Sequence, residues 1–349
     1  MNFVISMDLH RWGYSCLAEN RQPPDGVARQ LLGQGHKFIH VDMDSYFVAV
    51  ELLDAPWLRE RPVAVGGKAT DRGVISTSNY IARRYGVRSG MATATAERLC
   101  PGLVLLPVRF ERYEAVTRRL DVIFRRYTSN VEFLSLDEAT LDVTGQVYCN
   151  GSATYMANRI RASIEQKLHL TASAGVAPLK YLAKMASEVN KPNGQFVIAP
   201  HQVQAFLKNL DIRKIPGVGP KTWAVLQALG CTKCADVTDE MIPALLRHLG
   251  AHGFYVWERC RGQESYEGKP GAVQSLGVEH TLPSDCNDFA CCLRELDELL
   301  GTLAKRLEVL GSAPPIVRNQ VKLKFSDFSI ATAEAPALAL QPQVVRGLC

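Results

Sequence analysis

FIHVDMDSYFVAVE, at residues 38–51, is a short apolar run that ends in two carboxylates and continues at helical spacing. The run predicts a strand that ends at Asp42, because alternating apolar residues are typical of a half-buried strand. Tyr46, Phe47 and Val50 then follow at the spacing of a helix face. The first unit of the fold is therefore a strand followed by a helix.

A second stretch, FLSLDEATLDVT at residues 133–144, predicts a hairpin in which Asp137 and Glu138 lie where the chain reverses. Helices are predicted at 110–126, 152–168 and 178–189, and another strand at 171–176. Together these elements give a β-α-β-β-α-β order, the split βαβ arrangement. The fold class is α+β, and its core comes from residues 37–46 and about 107–199.

The composition favours a globular protein and is compatible with a polyanionic partner. The chain has 349 residues, 47% of them hydrophobic, and 40 basic against 35 acidic residues give a formal charge of +5. No apolar run approaches the roughly 20 residues that span a bilayer, so we expect no membrane contact. Asp8, His10 and Arg11 interrupt the N-terminal segment before a signal peptide can form. We therefore expect a cytoplasmic protein.

Three carboxylates are candidate metal ligands. Phosphoryl transfer to a nucleotide requires acidic residues that hold two divalent cations, and Asp42, Asp137 and Glu138 could supply them. The backbone carbonyl of Met43 would add a further oxygen. Taken singly, each residue has a simpler interpretation, because Asp42 and Asp44 could cap a helix and the other pair could be a polar turn.

Five blocks of sequence then occur in order: FIHVDMDSYFVAVE, GVISTSNYIARRYGVRSGM, FLSLDEATLDVT, TASAGVAPLKYLAKMASEVNKPNGQFVI and KIPGVGPK. Together they closely resemble the Y-family DNA polymerases, most nearly the bacterial DinB-type members. The resemblance covers about residues 37–330. It implies an error-prone, template-directed DNA polymerase for translesion synthesis, without a proofreading exonuclease and acting as a monomer.

The resemblance also implies a right-hand architecture. It divides the chain into a disordered N-terminal extension (1–36), a palm (37–46 and 107–199), fingers (47–106), a helix-hairpin-helix thumb (200–267), a linker (268–274) and a little finger (275–349). Primer-template DNA and deoxynucleotides would be its partners.

In the active site, the resemblance implies that Asp42, Asp137 and Glu138 bind two Mg²⁺ ions, with Mn²⁺ as a possible substitute because both metals accept carboxylate oxygens. The nucleotide would be contacted by Tyr46, Tyr80, Arg83 and Lys191. Phe47 would be a steric gate that excludes ribonucleotides. Each of these residues has an ordinary alternative, such as a core aromatic or a solvated cation.

Two further groups are predicted to contact DNA. Gly217, Val218, Gly219 and Lys221 form a helix-hairpin-helix turn, in which backbone N–H groups can approach a phosphate. Lys322 and Lys324 alternate on a strand and suit a duplex backbone. A tight turn and a solvated strand face are the corresponding simpler interpretations.

Both ends of the chain depart from the family pattern. About 36 residues precede the first matching block, and after about Phe328 the little finger should continue through another helix and a final strand. We therefore expect an incomplete sheet with an exposed edge, and no sliding-clamp binding from the C-terminal segment. The alternatives are a catalytically weak DNA-binding protein and a nucleotidyl cyclase.

Overall fold

The computed structural model describes residues 2–9, 35–265, 275–286, 288–309, 316–336 and 340. Its strands are β1 Asn2–Leu9, β2 Phe38–Met43, β3 Val63–Gly66, β4 Ile75–Ser78, β5 Val104–Leu106, β6 Val131–Phe133, β7 Glu138–Asp142, β8 Ala172–Ala177, β9 Gln195–Val197, β10 Ser275–Thr281, β11 Ile316–Lys324 and β12 Ile330–Pro336. Its α-helices are α1 Tyr46–Asp54, α2 Tyr80–Arg84, α3 Thr93–Leu99, α4 Phe110–Phe124, α5 Ala153–Leu168, α6 Lys180–Ser187, α7 Val203–Lys208, α8 Pro220–Ala228, α9 Ile242–Leu249, α10 Ala251–Cys260 and α11 Phe289–Val309.

The palm is built on a five-stranded sheet of order β6-β7-β2-β8-β9. Strand β2 lies at its centre and is antiparallel to both β7 and β8. Ile39, Val41 and Met43 are buried with the core residues of α4 and α5, whereas Phe38 packs with α6 and the thumb. Because side chains alternate along a strand, Asp42 belongs to the same face as Phe38 and His40. The α+β fold class is thus confirmed, although β9 was not predicted.

The fingers and the thumb are separate modules. A three-stranded sheet of order β4-β3-β5, together with α2 and α3, forms the fingers. The thumb is helical, and its core includes Leu226, Leu245 and Trp257. The sequence pattern did not predict β5 or α3, which are short elements.

The C-terminal module contains a four-stranded sheet of order β10-β1-β11-β12, with α11 packed against it. Its second strand, β1, comes from the N-terminus, so the prediction of a disordered extension is wrong for residues 2–9. The prediction for residues 10–34 lies outside the described residues, as does the predicted linker at 268–274. Strand β12 also extends regular structure beyond the point where we expected it to end.

The sequence pattern did not predict β1 because the alternating stretch is only one strand long. Phe3, Ile5, Met7 and Leu9 alternate with other residues over one strand length, but the Gly- and Pro-containing sequence that follows shows no period. Its pairing partners lie at the opposite end of the chain, and sequence periodicity carries no information about such a partner.

In the part of the chain that the structure describes, no helix is long and apolar enough to cross a membrane.

Candidate active site

The palm sheet brings the predicted carboxylates together. Asp42, near the end of β2, lies directly opposite Glu138, the first residue of β7. The N–H of Met43 donates to the carbonyl oxygen of Asp137 at 2.9 Å. Oxygen or nitrogen atoms of His40, Asp42 and Glu138 all lie within 4.8 Å of one another, as a metal site requires.

Glu138 is held by two basic residues that the sequence analysis did not identify. His40 Nε2 lies 3.3 Å from Glu138 Oε2, and the ammonium group of Lys184 forms an ion pair with the same oxygen. The close contact with His40 is the main reason that the pKa of Glu138 falls to about 2, and Lys184 reinforces it. Glu138 is therefore a carboxylate at neutral pH.

His40 itself is completely buried. Its Nδ1 lies 2.9 Å from Thr140 Oγ1, and burial lowers the pKa of the imidazole below 6.5. A neutral ring held at Nδ1 by Thr140 places its Nε2 beside Glu138 without adding a charge to the core.

Asp42 lies in a different electrostatic environment. Burial raises its pKa to about 7, and Lys191, whose Nζ is 2.7 Å from Asp42 Oδ1, opposes this shift. Lys191 also contacts Glu188 at 2.5 Å. Asp42 is thus a partly buried carboxyl group whose charged form is stabilised by the nearby cation of Lys191.

A cavity of about 350 Å³ opens above these residues. It is lined by Asp42, Met43, Ser45, Tyr46, Phe47, Ser76, Thr77, Tyr80, Arg83, Ser89, Asp137 and Lys191. All the predicted metal and nucleotide residues except Glu138 are in this set, and Glu138 adjoins Asp42 in the sheet. Ser89 is a lining residue that no sequence signal identified.

The fingers contribute Tyr80 and Arg83, which lie one helical turn apart on α2. The Arg83 guanidinium is 4.8 Å from the centre of the Tyr80 ring, and its Nε donates to Ser78 O at 3.0 Å. Both contacts fix the guanidinium at the cavity wall. A planar guanidinium held in this way can bind phosphate oxygens through paired hydrogen bonds.

Phe47 and Tyr46 line the cavity in different ways. The Phe47 ring stacks on Tyr113 with centroids 4.1 Å apart and planes inclined by 10°. Tyr46 is buried, and its hydroxyl donates to the backbone oxygen of Tyr113 at 2.8 Å. The Tyr46 hydroxyl is therefore used within the palm, whereas the Phe47 ring forms part of the cavity wall.

Asp44 does not cap helix α1, so the simpler interpretation of this residue is wrong. The N-cap of α1 is Ser45, and no side chain there bonds to the helix. The carboxylate of Asp44 instead accepts hydrogen bonds from Ser173 Oγ and from the backbone N of Asn193, both at 2.8 Å. It thereby fastens the turn that carries Lys191 to the palm sheet.

The predicted DNA-contacting residues lie in the thumb and the C-terminal module. Gly217 has φ +93°, and the preceding Pro216 O accepts a hydrogen bond from the Tyr255 hydroxyl at 3.1 Å. Lys221 is exposed in the first turn of α8, while Val218 is 9% exposed. Lys322 and Lys324 lie on β11, and Lys324 Nζ is 4.7 Å from the Phe328 ring centre.

Comparisons with known proteins agree with this architecture. The impB/mucB/samB family matches residues 41–188, the IMS family HHH motif matches 201–230, and the impB/mucB/samB family C-terminal domain matches 273–341. The chain is 52% identical over 299 residues to DNA polymerase IV of Pectobacterium atrosepticum, with 85% of each chain covered. It is 51% identical over the same length to DNA polymerase IV of Yersinia pestis.

Solved structures show the same fold. A Y-family DNA polymerase chimera of Dbh and Dpo4 matches with a TM-score of 0.80 at 29% identity, covering 89% of this chain and 92% of that chain. DinB from Sulfolobus solfataricus matches with a TM-score of 0.62 at 28% identity and the same coverage.

A split βαβ palm with a carboxylate cluster, followed by a helix-hairpin-helix thumb and this C-terminal domain, defines a Y-family DNA-directed DNA polymerase. The chain belongs to the DNA polymerase IV family, the translesion and repair branch of that class. The helix-hairpin-helix match argues against the nucleotidyl cyclase alternative, which requires no DNA-binding thumb.

Proposed function

We propose that this polymerase adds deoxynucleotides by two-metal-ion phosphoryl transfer, with Asp42, Asp137, Glu138 and the carbonyl of Met43 holding two Mg²⁺ ions. The observation that carries the proposal is the register that sets Asp42 opposite Glu138, beside the hydrogen bond between Met43 and Asp137. Hard carboxylate oxygens are the ligands that Mg²⁺ prefers, and Mn²⁺ accepts the same set. The bound ions would activate the primer hydroxyl and neutralise the leaving pyrophosphate.

The chain's own side chains would position the nucleotide. Lys191, Arg83 and Tyr80 share one cavity with Asp42, so a triphosphate entering it meets two cations beside the acidic cluster. Phe47 would limit the space at the sugar. Ser76 and Thr77 are small lining residues, which leaves room above the base and favours tolerance of damaged templates.

Beyond the active site, Gly217, Val218, Gly219 and Lys221 would bind the DNA backbone from the thumb, and Lys322 and Lys324 from the C-terminal module. Such contacts are independent of base sequence. The enzyme would act as a monomer in the cytoplasm, where its DNA substrate is found.

Primer extension with Mg²⁺ tests the chemistry. Asp137→Ala should reduce nucleotide addition by at least about a hundredfold, because one ligand of the reacting centre is lost. The matched control is Glu132→Gln. It removes a carboxylate of the same sheet that lies outside the cluster and forms an ion pair with Lys180. Extension by Asp137→Ala at the rate of the control would refute the assignment, and DNA binding without extension by the parent chain would favour the binding-only alternative.

A further inference from the structure

The N-terminal strand β1 fills a slot in the C-terminal module. Strands β10 and β11 are joined through α11 and are parallel, because each is antiparallel to β1, which lies between them. We propose that residues 2–9 are an integral strand of this module and that their presence in the slot controls its grip on primer-template DNA. The second half of this proposal rests on the DNA contacts proposed above.

The backbone register shows how much of the sheet depends on β1. Seven residues, Asn2 to Asp8, pair with Thr281 to Ser275 of β10, and eight, Asn2 to Leu9, pair with β11. A slot without β1 would leave the inner edges of both neighbouring strands without a ladder partner. Since unpaired backbone groups are costly when shielded from water, the two halves of the sheet would separate or admit solvent.

The sequence of β1 matches its register. Ile5 is placed opposite Val278 on one side and Val321 on the other, and both valines are buried beneath α11. Residues directly opposite in an antiparallel pair share one face of the sheet. An apolar residue is therefore placed at the register position where the module has its core.

The other face of the sheet connects β1 to DNA binding. On that face, Val4 is opposite Lys322 and Asn2 is opposite Lys324. Strand β1 thus makes β11 an internal strand, and an internal strand holds the spacing and twist of its side chains more firmly than an edge strand. We infer that β1 sets the position of the two lysines.

The occupant of the slot is this chain's own segment rather than that of a second copy. Residues 10–34 join β1 to the palm, and 25 residues can reach on the order of 80 Å when extended. A covalently attached strand is present at a high effective concentration and binds before a strand from another molecule. The module is then attached to the palm through β1 as well as through the thumb.

Hydrogen exchange of the full-length chain tests the strand. Ser6→Pro removes a backbone N–H from the middle of an internal strand, whereas Ser6→Thr keeps it and suits a strand. We expect Ser6→Pro to speed exchange in both 275–281 and 316–324 at least about tenfold, with no change in palm strand β2. Equal exchange in the two variants would overturn the proposal, and so would protection that depends on protein concentration.

A chain lacking residues 2–9 tests the functional half. Its affinity for primer-template should fall at least about tenfold, and a synthetic peptide of residues 2–9 should restore it. Nucleotide addition at saturating DNA should stay near the parent rate, because the active site lies in the palm. Lost exchange protection with unchanged DNA affinity would overturn the link to DNA, whereas a parent chain inactive at every DNA concentration would count against the proposed chemistry instead.

Discussion

The Phe47 ring is fixed against Tyr113 at the wall of the cavity that also contains Asp42. Phe47→Ala would open space where a ribose hydroxyl would collide with the ring. We expect the preference for deoxynucleotides over ribonucleotides, measured as the ratio of kcat/KM values, to fall by about tenfold or more. Phe47→Tyr keeps the ring and is the matched control. A ratio that is unchanged in Phe47→Ala would exclude a gate at this residue.

His40 gives a pH-dependent prediction about stability. Burial lowers its pKa, so as pH falls through 6.5 the unfolded chain binds a proton that the folded chain does not. The free energy of unfolding therefore decreases as the pH falls from 6.5 to the pKa of His40 in the folded chain. Below that pKa both states carry the proton, and His40 causes no further loss of stability. His40→Gln keeps a polar side chain without the titration. The stability gap between parent and variant should therefore be largest near about pH 7.5 and smaller near about pH 5.5.

Urea denaturation at both pH values measures this gap. Titrating groups distant from His40 shift both chains alike, so the difference reports His40 together with its contact to Glu138. A gap that is constant or wider at the lower pH would show that His40 is already protonated in the folded palm.

In the thumb turn, Gly217 is crowded by its neighbours, whereas Gly219 is open and is the glycine that we expect to face DNA. A Cβ at Gly217 would lie 3.2 Å from Tyr255 Cε1, and its φ of +93° is strained for alanine. A Cβ at Gly219 would meet no atom within 4 Å. We expect Gly217→Ala to lower the stability of the thumb by about 1–3 kcal/mol.

Gly219→Ala should leave thermal unfolding unchanged but weaken DNA binding, since the added methyl group would stand where a phosphate approaches the backbone. Thermal unfolding and fluorescence anisotropy on the same samples distinguish the two effects. Unaltered DNA affinity in Gly219→Ala would place the phosphate contact elsewhere in the thumb.

For the whole molecule, we expect the affinity for DNA to fall as the salt concentration rises, because lysines of the C-terminal module neutralise phosphates. Each lysine that neutralises a phosphate contributes about 0.9 to the slope of log affinity against log salt. The double variant of Lys322→Gln and Lys324→Gln should therefore reduce the slope by about 2. Lys305→Gln is the control, because this exposed lysine lies on α11, which covers the opposite face of the sheet.

An ion pair links the fingers to the C-terminal module. Arg72 Nη1 lies 2.8 Å from Asp285 Oδ1, and both side chains are about two-fifths exposed. Exposed pairs of this kind contribute little to stability and are screened by salt. The attachment of the module therefore depends more on its backbone connections than on this contact.

Local sequence patterns were enough to predict the order of the elements and to single out Asp42, Asp137 and Glu138, which the palm sheet brings together. The strand before Asp42 and the hairpin around Asp137 each show a local period, and a split βαβ order brings such segments side by side. A local sequence pattern is enough to predict an element when the pattern and the element occupy the same few residues.

Contacts between distant residues set which groups surround those carboxylates and where the N-terminal strand lies. The contact of His40 with Glu138, and that of Asp44 with the backbone of Asn193, join residues distant in the chain. Strand β1 carries a period of two like any other strand, but its place is set by the ladder edges of β10 and β11, which lie at the opposite end of the chain. Hydrogen-bonding edges are properties of the assembled sheet, so no single stretch of sequence could reveal this partner.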